Sequence, residues 1–149
     1  MVAVDVTNEG TDSRQMLPLL AQVERRTGRR PSEILVDGGY TNLEAIDEVE
    51  ARGTRVYAPV ARPRSEGIDR HARKSGDTDR TAAWRARMAT PEAKEVYKER
   101  ASTSELVHAD MRQWRGLSRM LVRGTAKVLS CALLLALTHN ALRMIDLMA

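Results

Sequence analysis

Ile34-Leu35-Val36-Asp37-Gly38-Gly39-Tyr40 is the stretch that decides how this chain of 149 residues is read. Three branched apolar residues end on a carboxylate, and two glycines then let the backbone turn sharply. A short apolar run bounded by turn signals is the pattern of a buried strand. An acid at the carboxyl end of such a strand stands where open α/β sheets place their ligands. Asp37 is therefore a candidate site residue whose partners have to come from elsewhere in the chain.

On the amino-terminal side, Val2-Ala3-Val4-Asp5-Val6 alternates strictly, which predicts a strand with three valines on one face. Leu17, Leu19, Leu20 and Val23 then have helical spacing, and Gly28 stops that helix. On the other side, Thr41-Asn42-Leu43-Glu44 reads as a capping box, with Thr41 at the cap. The helix it opens buries Leu43, Ile46 and Val49 and ends at Gly53, and residues 54–60 form a third strand closed by Pro59. Strands alternating with helices through short loops imply βαβ crossovers and a largely parallel core.

Residues 61–80 differ in kind, with six basic and four acidic side chains, Pro63, Gly67 and Gly76. Such a segment reads as a disordered linker, a DNA-contacting loop being the alternative. Beyond it the pattern is helical: a short helix from Thr81 to Met88, one opened by Thr90-Pro91-Glu92 and running to about Trp114, and one from near Thr125 to the end.

Apolar residues make up 42% and charged residues 30%, a globular balance. Aromatics are only 3%, with no Phe, which argues against recognition of single strands by base stacking. No G-x-G-x-x-G follows a strand, so a dinucleotide enzyme is not indicated. Net charge is +4, and between Met111 and Ile145 there are Arg112, Arg115, Arg119, Arg123, Lys127 and Arg143 without one acid. A solvated face mixes the signs, so one-sided charge favours a phosphate-facing surface. The lone Cys131 suits a core thiol in a reducing, cytoplasmic compartment, and no signal peptide opens the chain. Val128 to Leu142 carries no charge but is short for a membrane span, so it predicts a buried helix and no membrane partner.

On the helix from Pro91, Glu105, His108 and Arg112 fall on one face, an arrangement able to bind a metal and a phosphate together, or simply the polar face of an amphipathic helix. Tyr97-Lys98-Glu99-Arg100, followed by Glu105 and then Arg112, resembles the Tyr…Arg…Glu…Lys signature of bacterial insertion-sequence transposases. Asp37-Gly38-Gly39-Tyr40 is similar to that family's Asp-Ala-Gly-Tyr, and Val4 to Asn8, Thr90-Pro91-Glu92, Arg115-Gly116-Leu117 and Leu121 to Gly124 resemble it in the same order.

The resemblance implies an α/β, RNase H-like mixed sheet, incomplete because its first strands are missing, with a helical C-terminal half. Residues 1–149 would form the C-terminal part of a DDE catalytic domain: 1–60 the sheet portion, 61–80 a basic polar loop, 81–149 the helical portion carrying the glutamate. It implies Asp37 and Glu105 as catalytic carboxylates holding Mg²⁺ or Mn²⁺, and Tyr97, Arg100, Arg112, Arg115 and Arg119 as DNA-binding residues. The implied activity is metal-dependent DNA cleavage and strand transfer at transposon ends, in a nucleoid-associated protein that pairs with itself or with a full-length transposase. Three features depart from the family. Its first Asp has no counterpart here, Asp5 being assigned to a later strand as a structural residue. Four residues rather than three separate Arg100 from Glu105, and Arg112 replaces a Lys. His108 is given no site role. The expected fragment is thus inactive alone, the alternatives being a non-catalytic DNA-binding or oligomerising remnant, or a generic α/β interaction protein.

Overall fold

The structure, a computed structural model, describes the backbone of residues 1–149 and every side chain except those of Glu105 and Leu106. Helix α1 (Met16–Thr27) leads to strand β1 (Glu33–Leu35), a 3₁₀ turn (Gly38–Tyr40), α2 (Leu43–Ala51) and strand β2 (Arg55–Tyr57). Then come α3 (Asp79–Ala89), α4 (Pro91–Arg100), a π turn (Ala101–Glu105), α5 (Leu106–Trp114) and α6 (Thr125–Met148).

The βαβ unit forms where the sequence predicts it. β1 and β2 are parallel, with Ile34 opposite Val56, and α2 crosses between them. Gly28 ends α1 in the left-handed conformation at φ 66°, which only glycine adopts without strain. The cap of α2 is Asn42 rather than Thr41: the Asn42 carboxamide oxygen accepts from the backbone N–H groups of Glu44 and Ala45.

The mixed sheet expected from the resemblance is not assembled here; the α/β sheet has two strands. Val2 to Val6 does not pair as a strand. It runs beside α1, with Val4 N–H donating to Gln22 Oε1 at 2.7 Å and Arg26 donating to the Val2 carbonyl at 2.6 Å. A strand needs a ladder partner, and side chains of α1 take its backbone groups instead. The outer edge of β2 is closed in a similar way. Glu50 Oε1 accepts from Val56 N–H at 2.8 Å, Arg87 donates to the Val56 carbonyl at 3.1 Å, and Glu50 and Arg87 pair with each other. Two helix side chains thereby do what a neighbouring strand would do.

Ile46, Val49, Val56, Ala58 and Trp84 are almost wholly buried and form the core where α2, β2 and α3 meet, with Met16, Leu20, Met88 and Ala93 around them. Residues 61–80 are not a loose linker. Asp77 is buried, ion-paired with Arg85 Nε at 2.8 Å, and accepts from Lys74 N–H at 2.8 Å. His71 Nδ1 lies 3.1 Å from the Arg85 carbonyl. A segment read as a disordered linker therefore contains one acid that pins it to α3.

Helix α6 corrects a second expectation. Instead of a buried helix, 24 residues stand mostly in solvent, with only Ala136 fully covered. By length and composition alone it is the one described helix long and apolar enough to cross a membrane.

Candidate active site

The site is built from the end of β1 and the junction of α4 with α5. Asp37 caps the 3₁₀ turn: its Oδ1 accepts from Gly39 N–H at 2.8 Å, which fixes the carboxylate at the strand end. A Cβ at Gly39 would sit 3.1 Å from that oxygen and 3.7 Å from Asp12 Oδ2, so the second glycine of the motif is needed for close approach rather than for left-handed backbone. Arg100 Nη2 reaches Asp37 Oδ2 at 3.5 Å, a long contact with the carboxylate half exposed. The Tyr97 hydroxyl donates to the Val36 carbonyl at 3.1 Å, and Arg100 lies over the Tyr97 ring at 6.0 Å. Tyr97 thus fastens α4 to the residue before Asp37.

Beyond Arg100 the helix widens into the π turn. A π turn closes from i to i+5 rather than i+4, so it absorbs one additional residue without displacing the helix face that follows. Glu105 is the last residue of this turn. A turn of this kind is able to take up the extra residue between Arg100 and Glu105. The Glu105 side chain lies outside the described residues.

Ser104 and His108, on either side of Glu105, line a cavity of about 410 Å³ together with Asp37, Tyr40 and Arg100. Its floor is apolar, formed by Leu19, Leu20 and Val23 of α1 and by Ile34 to Val36. Burial, then the nearby carboxylates of Asp12 and Asp37, push the Tyr40 phenol above its usual value, so it stays neutral and able to donate a hydrogen bond. Ser104 and Tyr40, which line the cavity, and Asp12, which lies beside Gly39 and Tyr40, are neighbours of Asp37 that sequence reasoning gave no site role. Asp12 read as part of a polar turn, and no periodicity brings a turn before α1 next to one after β1.

The basic residues form a separate region. Arg112, Arg119, Arg123 and Lys127 are exposed, whereas Arg115 donates to Asp110 at 2.7 Å. That hydrogen bond, outweighing desolvation, holds the Asp110 carboxyl below the usual range, with His139 adding to the effect. None of these arginines lines the cavity at Asp37.

Among the described residues no group of three His, Cys, Asp or Glu side chains is placed to hold a metal ion. Asp37, Tyr40 and Ser104 bring oxygen donors to the cavity and His108 brings a nitrogen, and the Asp37 carboxylate suits a hard cation. The site thus sets a carboxylate at a strand end against a helix that carries guanidinium and hydroxyl groups. The Transposase DDE domain family matches residues 63–145, more than half of the chain, and the chain belongs to that family. The match covers Tyr97, Arg100, Glu105, Arg112, Arg115 and Arg119 and begins after Asp37. Searches of curated proteins and of solved structures gave no match.

Proposed function

We propose that this chain carries the second aspartate and the glutamate of a transposase site for metal-dependent DNA cleavage and strand transfer. The observation that supports it is the approach of α4 and the π turn to the end of β1, where Arg100 touches Asp37 and Ser104 and His108 share its cavity. Asp37 and Glu105 are the residues that would hold Mg²⁺ or Mn²⁺; when bound, such ions activate an attacking hydroxyl and stabilise the leaving oxygen of a phosphodiester. The chain's own residues do the positioning. Gly39 N–H orients the Asp37 carboxylate, Tyr97 fixes α4 against the strand end, and Arg100 offers a guanidinium fork that can pass from Asp37 to a DNA phosphate.

In this reading β1 and β2 are the parallel part of an RNase H-like sheet. Two acids hold a divalent ion weakly, so the chain alone binds DNA in the cytoplasm, at the nucleoid, and does not cut it. Its DNA contacts come from Arg112 and Arg119, with Arg115 turned toward Asp110. The test is Mn²⁺ titration of the native chain, of Asp37→Asn and of Glu105→Gln, followed by DNA nicking with and without metal. Binding lost in both variants supports the shared site. Binding unchanged in either one removes that residue from it, and nicking by the native chain would refute its inactivity. DNA binding that persists in both variants, with no metal binding in any, would leave the non-catalytic remnant.

A further inference from the structure

The Asp37 carboxylate is engaged at both oxygens. Its Oδ1 accepts from Gly39 N–H at 2.8 Å, and its Oδ2 faces Arg100 Nη2 at 3.5 Å. The two contacts differ in kind. The amide is fixed by the 3₁₀ turn, whereas the guanidinium stands at the end of a long side chain on the last residue of α4. A charge-assisted hydrogen bond to a carboxylate closes to about 2.7–2.9 Å. At 3.5 Å, Arg100 rests beside Asp37 without reaching that geometry. The backbone beneath it is fastened. The Tyr97 hydroxyl donates to the Val36 carbonyl at 3.1 Å, and Ser104 Oγ donates to the Arg100 carbonyl at 3.0 Å. The Arg100 side chain can therefore swing while α4 stays docked at the strand end. The Asp37 side chain is 45% exposed, so an anion in solvent can approach the pair.

We propose that Arg100 is a latch on the metal site: its guanidinium covers Asp37 until a DNA phosphate draws it away, so that DNA and a divalent cation favour each other's binding. This rests on the reading of Asp37 as a metal carboxylate. While the guanidinium lies at Oδ2 it offsets the charge of the carboxylate, and a divalent cation at the same oxygen meets a like charge at close range. A phosphate gives the guanidinium two oxygens for its fork in place of one long contact. Arg100 seated on phosphate leaves Asp37 an uncovered oxygen. By linkage, an ion at Asp37 then raises DNA affinity by the same factor as DNA raises ion affinity. The site fills with metal on DNA and stays poor in it elsewhere.

The test is Mn²⁺ titration of the native chain, Arg100→Gln and Arg25→Gln, with and without a short DNA duplex, read from the paramagnetic resonance of the free ion. Asp37→Asn with the same duplex measures the ions held by the DNA itself, which are subtracted. Without DNA, Arg100→Gln is expected to bind Mn²⁺ about five-fold more tightly than the native chain. Arg25→Gln removes one exposed charge from α1 outside the cavity and is expected to keep the native affinity. With the duplex, the native affinity rises by a similar factor and that of Arg100→Gln does not. Equal affinities of the native chain and Arg100→Gln without DNA, an equal gain in Arg25→Gln, or a duplex effect of full size in Arg100→Gln overturns the latch. Circular dichroism checks that the helices of Arg100→Gln remain. Should that variant not fold, the native chain decides alone: a rise with the duplex supports the latch and an unmoved affinity overturns it. Mn²⁺ binding that is lost in Asp37→Asn, with Arg100→Gln behaving as native, removes the latch and leaves the metal site standing. No Mn²⁺ binding by the native chain or Arg100→Gln, with or without the duplex, removes both.

Discussion

Asp77 shows how one residue can change the character of a segment. Its side chain is 1% exposed and that of its partner Arg85 on α3 is 7% exposed, so a segment that reads as a disordered linker holds half of a buried ion pair. Asp77→Ala leaves an uncompensated guanidinium and is expected to cost about 3–5 kcal/mol in urea unfolding. Burial pushes the Asp77 carboxyl up, but the Lys74 N–H and the Arg85 hydrogen bond outweigh it, and the net direction is down. A depressed folded value gives stability that is complete above the ordinary carboxylate range, about 4, and is lost as pH falls through the depressed value. The gap between native and Asp77→Asn is therefore expected to be constant near neutrality and to close in acid. Gly39→Ala is a different case, because the new methyl would crowd Asp37 Oδ1 at 3.1 Å. Its expected signature is weakened Mn²⁺ binding with little change in overall fold.

At the scale of elements, the π turn and the closed edge of β2 carry the predictions. If the π turn absorbs one inserted residue, deleting Thr103 should convert it to regular α-helix and leave α5 facing as before. Deleting Glu95 within α4 should instead rotate everything beyond it by about 100° and detach Arg100 from Asp37. Retained Mn²⁺ binding in the first deletion and loss in the second would confirm this, and equal loss in both would contradict it. At β2, Arg87→Ala removes the donor to the Val56 carbonyl and the partner of Glu50. The expected cost is about 1–3 kcal/mol, together with faster hydrogen exchange at Val56 than at Ile34. Helix patterning made α1, α2 and α3 legible, since apolar spacing reports burial directly. The strand pattern of Val2 to Val6 was equally clean, yet the segment lies along α1 because alternation states a preference and supplies no neighbour.

At the scale of the whole molecule, charge and apolar surface are segregated. Arg112, Arg119, Arg123 and Lys127 lie on the α5–α6 connection and its flanks, while exposed apolar side chains continue along α6. If those four residues meet phosphates, the logarithm of DNA affinity should fall against the logarithm of salt with a slope of about −3 to −4. Arg112→Gln/Arg119→Gln should reduce that slope by about two. Fluorescence anisotropy with a labelled duplex measures both. A slope near zero would remove the basic face from the DNA interface.

The sequence by itself determined the βαβ order, the acid at the end of β1, the one-sided charge of the C-terminal half and, through its resemblance, the transposase family. These are properties of local spacing and residue type, which survive whatever the chain packs against. Only the tertiary structure decided that Asp12 comes up beside Gly39 and Tyr40, that Asp77 is buried, and that α6 faces solvent instead of the core. Each of these depends on which surfaces meet across long sequence separations. Hydrophobic spacing says that a face is to be covered, and the packing of the remaining chain decides whether anything in the same molecule is there to cover it.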